Sequence, residues 1–270
     1  AQLPPVTPGQ QSKDWGFLHS VWEASDFEPA LLSTVMRTQD TEFLEILNFI
    51  RDGVVNERVH TFLDERRDTS SLDSIDATRL YPHRAKADQY NLYRLGSLSG
   101  KEYAVQTKYT GEERYFDSAK RNLPIPDTLL LKAGALIMMR RNDVSGAGKF
   151  VNGSLGHILG IDEDVLHVSL FSGENIEVEK YKFSCLDGDG NEVVAAWNYP
   201  VSLAWATTIH KAQGATLDSM IVDLHQLWEP GQAYVALSRV RSSDGLFIEQ
   251  WSPGSIIVEP LVTRFYDQEI

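Results

Sequence analysis

The sequence predicts an α/β fold interrupted by a β-rich segment, and three observations carry that reading. Strand-like and helix-like runs alternate before about residue 98 and again after residue 199, as they do in a parallel sheet covered by helices. Between them, residues 129–198 break into short apolar runs separated by Gly and Asn/Asp turns, the pattern of a small barrel or sandwich. The 270 residues, 42% hydrophobic and 23% charged, are enough for real cores and exclude a disordered, collagen-like or membrane-embedded chain.

Residues 1–15, rich in Pro, Gln and Gly, read as loop. From Asp40, which can cap a helix, Phe43, Ile46, Leu47 and Ile50 recur at helical spacing until Gly53 stops them. A polar stretch around 64–76 leads to a short strand, Arg79-Leu80-Tyr81, closed by Pro82. Residues 85–98 read as a helix carrying Tyr90, Leu92, Tyr93 and Leu95, and 99–125 show no clear period. The β-runs are 135–139, 157–161, 165–171, 176–183 and 193–197, with Asn152-Gly153, Ser172-Gly173 and Asp187–Gly190 as turns. After them come a strand at 201–206, a short helix at 207–212 ended by Gly214, a strand at 219–224, a helix at 231–239 and a strand at 245–248. No internal repeat is visible.

The formal net charge of -13 argues at first sight against a nucleic-acid-coating protein. It is unevenly spread. Residues 14–52 hold eight acids against Arg37 and Arg51, and residues 162–192 hold nine against Lys180 and Lys182. Residues 132–161 carry Lys132, Arg140, Arg141 and Lys149 against Asp143 alone, and the stretch 200–241 is balanced. The acidic blocks read as solvated faces. A single cysteine, Cys185, fits a reducing intracellular compartment. No apolar run approaches the roughly 20 residues needed to cross a bilayer, and the first residues lack the features of a signal peptide.

Three constellations carry polar chemistry. Trp205-Ala-Thr-Thr-Ile-His-Lys-Ala-Gln-Gly214 would deliver Thr207, His210, Lys211 and Gln213 to one end of a sheet, where ligands of open α/β folds bind; a helix with a polar outer face is the plain alternative. Gly231-Gln-Ala-Tyr-Val-Ala-Leu-Ser-Arg239 ends in an arginine that either caps its helix or projects toward a phosphoryl group. Arg37, ahead of the Asp40 helix, and Gln2 in the opening loop are unspecific by themselves. No Gly-x-x-x-x-Gly-Lys-Ser/Thr phosphate loop, no His/Cys cluster at metal spacing and no Gly-x-Ser-x-Gly motif is present; Gly146-Ala-Gly148-Lys149 reads as a hairpin loop with a basic tip.

Taken together, the constellations resemble the C-terminal half of a superfamily 1 DNA helicase of the PIF (petite integration frequency) type, related to RecD. Ala1-Gln2-Leu3-Pro4-Pro5-Val6 is similar to the end of motif III. Val35-Met-Arg37-Thr-Gln-Asp40-Thr-Glu-Phe43 is similar to motif IV, with Thr38 where the family usually has Gln. Thr78–Pro82 with Asn91, and Leu131–Gly134 through Met138-Met139 and Asn152–Gly156, resemble the segments that follow. Leu203–Gly214 with Thr216-Leu217-Asp218 resembles motif V, and Gly231–Arg239 resembles motif VI.

The resemblance implies a RecA-like second motor domain of the phosphate-loop NTPase type with an inserted small SH3-like β-barrel. On this reading residues 1–15 are a remnant of the first motor domain and linker, 16–128 and 199–270 form the second motor domain, and 129–198 the insert. It further implies ATP and Mg2+ as cofactors, held mainly by a missing N-terminal half, and single-stranded DNA as partner. Gln2, Arg37 and Arg239 would face the γ-phosphate; Lys211, Gln213 and Gly214 would link it to the DNA side, where Thr207 and His210 lie. The expected protein is an intracellular, monomeric 5′-to-3′ helicase, with these 270 residues inactive alone. The alternative is a non-catalytic binding module for nucleic acid or protein.

Overall fold

The computed structural model describes residues 3–4, 15–25, 27, 35, 37–67, 72, 75, 77–162 and 164–269. The helices of four or more residues are α1 (Ser20–Ala24), α2 (Thr41–Arg51), α3 (Glu57–Glu65), α4 (Arg84–Ser97), α5 (Phe116–Asn122), α6 (Gln232–Leu237) and α7 (Pro260–Glu269). The strands up to the end of the β-rich segment are β1 (Thr78–Tyr81), β2 (Tyr103–Gln106), β3 (Lys108–Gly111), β4 (Thr128–Leu131), β5 (Leu136–Met139), β6 (Leu155–Asp162), β7 (Val165–Leu170), β8 (Asn175–Glu179), β9 (Tyr181–Leu186) and β10 (Glu192–Asn198). They continue with β11 (Val201–Leu203), β12 (Ala206–Thr208), β13 (Met220–Asp223) and β14 (Leu246–Gln250). The chain divides into two compact units, 1–87 with 207–270 and 88–206. These limits lie outside the 129–198 interval read as an insert, because α4, β2, β3 and α5 go with the β-rich unit.

The first unit is built on a sheet of order β12-β1-β13-β14. β1 pairs parallel with β13 (Leu80 opposite Val222) and β13 parallel with β14 (Val222 opposite Ile248). Parallel strands covered on both faces are buried on both, and β1 and β13 are buried at every position, Arg79 inside β1 being paired with Glu249 at 3.5 Å. α2 forms as its spacing predicts: Asp40 Oδ1 accepts the Phe43 amide at 3.0 Å, and Phe43, Ile46, Leu47 and Ile50 are buried. Gly53 ends it at φ +74°, and a β-carbon there would lie 2.8 Å from Val258 Cγ2. α3 follows with Asn56 as its cap, and Phe62 stacks on Phe43 at 5.8 Å.

Two sequence expectations fail in this region. The strand expected over 201–206 is two strands: β11 pairs antiparallel with β5, and Ala204-Trp205 separates it from β12, which joins the other sheet. The helix expected over 207–212 does not form. Thr207 and Thr208 belong to β12, and 209–214 is a series of turns closed by Gly214 at φ +81°. Vicinal β-branched residues favour the strand, and the glycine supplies the left-handed exit.

The second unit is antiparallel. Its sheets run β11-β5-β6-β7-β8 and β3-β10-β9, with β2 paired to β4. β7 and β8 bury alternate residues, as strands with one face in water do. Its core includes Leu131, Leu136, Ile137, Met139, Leu166, Val168 and Tyr199. β2, β3 and α5 occupy the 99–125 stretch that showed no period. Among the described residues, no helix is long and apolar enough to cross a membrane.

Candidate functional site

The polar residues of the first unit converge on a cavity of about 670 Å3. Its lining includes Arg37 and Thr38 ahead of α2, Gln213 and Gly214 from the turns after β12, and Tyr234, Ser238 and Arg239 from α6 and the residues after it. Arg37 is fixed across the fold: its Nη1 donates to Ser238 O at 2.6 Å and its Nε to Thr216 Oγ1 at 3.2 Å. Thr38, at the position where Gln is usual, is buried and accepts the Asp40 amide at 3.1 Å.

Arg239 folds back over the last turn of α6, donating from Nε to Val235 O at 2.7 Å and from Nη2 to Ser238 Oγ at 2.7 Å. It thus satisfies a carbonyl at the helix end and also lines the cavity. Burial, and then the Arg37 charge beside it, push its pKa down to about 10. Arg37, Arg51 and Arg239 are the charged residues among the described lining, and none of the lining residues is an acid. Arg51 is paired with Asp52 at 3.3 Å. Two guanidiniums brought together in a partly buried cavity repel each other, and an anion placed between them relieves that repulsion. A group with several oxygens spread in space fits the fork geometry of guanidinium donors.

A second cluster lies on the turns after β12 and β13. His210 Nε2 donates to Glu229 Oε2 at 3.0 Å. The fully buried Gln232 accepts with Oε1 from the amides of Trp228 (3.1 Å) and Glu229 (3.3 Å). Thr207 is buried on β12, and the Lys211 amide donates to Thr208 Oγ1 at 3.2 Å. Lys211 is exposed and is not among the described residues lining the cavity.

Of the residues singled out in the sequence, Arg37, Gln213, Gly214 and Arg239 meet at one cavity, Thr207 and His210 lie on β12 and the turn after it, and Gln2 lies outside the described residues. Sequence reasoning missed Thr216, Ser238, Glu229 and Gln232. Thr216 and Ser238 act through Arg37, 179 and 201 residues away, whereas Gln232 bonds the amides three and four residues before it.

No protein-family model matches the chain. It is 43% identical over 268 residues to the ATP-dependent DNA helicase Pif1 of Bdellovibrio bacteriovorus, covering 99% of this chain and 60% of that protein. It is 31% identical over 269 residues to the human ATP-dependent DNA helicase PIF1, covering 98% of this chain and 42% of that one. The chain thus spans about 60% of the first relative's length and less than half of the second's. Among solved structures, Bacteroides sp Pif1 in complex with ADP-AlF4 superposes with a TM-score of 0.80 at 28% identity, over 98% of this chain and 64% of that one. Bacteroides Pif1 bound to ssDNA gives 0.70 at 26% identity, over 99% and 64%.

The parallel sheet and its helices are those of a RecA-like motor domain. The chain corresponds to a C-terminal part of the Pif1-type helicases it matches.

Proposed function

We propose that this chain is the C-terminal motor half of an ATP-dependent 5′-to-3′ DNA helicase that couples hydrolysis to translocation on single-stranded DNA and to duplex unwinding. The observation that carries the reading is that Arg37 and Arg239 converge on one cavity whose described lining holds no acid. Phosphoryl transfer needs little covalent help from the protein and much positioned positive charge. Arg239 would leave Val235 O and Ser238 Oγ to meet the γ-phosphate, while Arg37 stabilises the same developing charge. Gln2 would sense that phosphate. Gln213 and Gly214 at the cavity wall, with Lys211 next to them in the chain, would link it to Thr207 and His210 on the DNA side.

The magnesium ligands and the phosphate loop belong, on this reading, to a partner motor domain, in the same or a separate chain. Residues 16–128 and 199–270 would be the second motor domain, and 129–198 an SH3-like barrel flanking the DNA path. The working unit would be an intracellular monomer acting in DNA repair and recombination. A non-catalytic binding module is the weaker reading, because DNA or protein binding alone gives Arg37 and Arg239 no reason to share a cavity.

The test is DNA-stimulated ATPase. The 270 residues alone should show negligible turnover, and joining them to a phosphate-loop motor domain should restore it. Magnesium-dependent turnover by the 270 residues alone, lost in Arg239→Ala, would refute the assignment of the phosphate loop to a partner. Failure of the joined protein to turn over would favour the binding module.

A further inference from the structure

The sheet β3-β10-β9 of the antiparallel unit turns one face to a core and the other to water. Tyr109, Phe183 and Ala196 belong to the buried cluster that contains Ile125. They alternate along their strands with Lys108, Lys182 and Trp197, which are exposed on the opposite face. Trp197 keeps 41% of its surface in water on the middle strand, whereas Ala196 beside it keeps none. A tryptophan exposed there, with the core on the other side of the sheet, is not serving that core.

The register sets a cation on each side of the ring. Lys108 of β3 and Lys182 of β9 both lie directly opposite Trp197. Cross-strand neighbours of this kind have Cβ atoms about 5 Å apart, and a lysine stem carries its ammonium out past the ring. Lys182 pairs with Glu192 at 2.8 Å, and Glu192 also accepts the Ser184 hydroxyl. Among the described residues, no acid pairs with Lys108, and neither a second ring nor a cation packs on the indole.

We propose that the Lys108–Trp197–Lys182 face holds a segment of single-stranded nucleic acid, with a base on the indole and its flanking phosphates on the two lysines. The proposal rests on the DNA-binding reading above for its ligand. It adds a hold on the unit that does not carry Thr207 and His210. Ring and ammoniums together select this ligand: charge alone would serve any polyanion, and an indole alone any apolar partner. Stacking accepts every base, since each has a π-face, so the face grips a strand without reading it.

The experiment uses the 270-residue chain at low salt with fluorescein-labelled (dT)12, (U)12 and an abasic oligomer of equal length and charge. A (dT)12 carrying 5-iodouracil is irradiated on the protein, and the cross-linked peptides are mapped by mass spectrometry. The peptide bearing Trp197 should carry a cross-link. Trp197→Ala should abolish it and weaken (dT)12 binding by up to about tenfold, with abasic affinity unchanged. Trp197→Phe should keep most of the affinity, which also controls for folding. Glu192→Gln, which frees Lys182 and removes a negative charge, should tighten binding of all three probes. Tighter binding of (U)12 with the same dependence on Trp197 supports the face with RNA as its strand. Cross-links confined to other peptides, or a Trp197→Ala protein weakened equally on (dT)12 and the abasic oligomer, overturn this contact and leave the DNA reading of Thr207 and His210 standing. Absence of binding to every probe by wild type overturns both.

Discussion

The two units differ in how far along the chain their charged side chains find partners. In the unit built on the parallel sheet, charged groups pair across more than 130 residues of chain: Arg37 with Ser238 (201 residues), Asp40 with Ser243 (203) and Lys86 with Asp223 (137). In the antiparallel unit the exposed acids mostly close their own turns. Asp187 takes the amides of Asp189 and Asn191, Asp143 those of Ser145 and Lys149, Lys180 pairs with Asp164, and Ser184 with Glu192 across a hairpin. Local pairs define a shape with little help from the rest of the fold, whereas long-range pairs hold a constellation in place. The chemistry of this chain is therefore expected where the long-range pairs are.

The largest effect that would sharpen this contrast is at Arg239. In the protein joined to a phosphate-loop domain, Arg239→Ala should lower turnover by about 10³-fold or more while single-strand affinity stays near wild type. Equal losses of both would contradict a role on the phosphate and support one in the fold. A smaller, structural effect is expected at Asn91, whose amide donates to Ala206 O at 2.7 Å and accepts the Ala206 amide at 2.8 Å, both buried. Asn91→Leu leaves two backbone groups unpaired and should cost about 2–3 kcal/mol in urea unfolding. An unchanged midpoint would mean that the start of β12 is held by other means.

Asp40 gives the smallest expected effect and tests whether a long-range pair also governs stability. It caps α2 and accepts from both the amide and the hydroxyl of Ser243. Burial works to raise its pKa, but these hydrogen bonds, with the Arg66 charge, outweigh burial and leave it below the ordinary carboxylate value. A carboxyl with a lowered folded-state pKa contributes stability above about pH 4 that is lost as the solution is acidified. Asp40→Ala should cost about 1 kcal/mol at neutral pH, and the gap to wild type should close toward pH 3 in thermal melts. A gap that does not change with pH would show that the hydrogen bonds do not depend on ionisation.

Much of this was legible in the sequence where physics acts locally. The α2 register followed from Asp40 and the four apolar positions after it, and most hairpins from Gly and Asn/Asp turns. α3 carried the same kind of signal, Asn56 ahead of Val59, Phe62 and Leu63, in the interval between Gly53 and the polar stretch 64–76 that the sequence reading leaves without an element. The break between β11 and β12 was not readable, because one apolar run serves two different sheets. The site divides the same way. Arg37, Gln213 and Arg239 belong to ordered motifs, whereas Glu229 lies outside them and matters through His210, 19 residues earlier.

α6 has six residues and spans about 9 Å along its axis. It is fastened at both ends: Gln232 accepts the amides of Trp228 and of the His210 partner Glu229, and Ser238 contacts both cavity arginines. So short a rod neither bends nor winds by much. A displacement of the loop at one end is therefore expected to carry along the helix to the guanidiniums at the other.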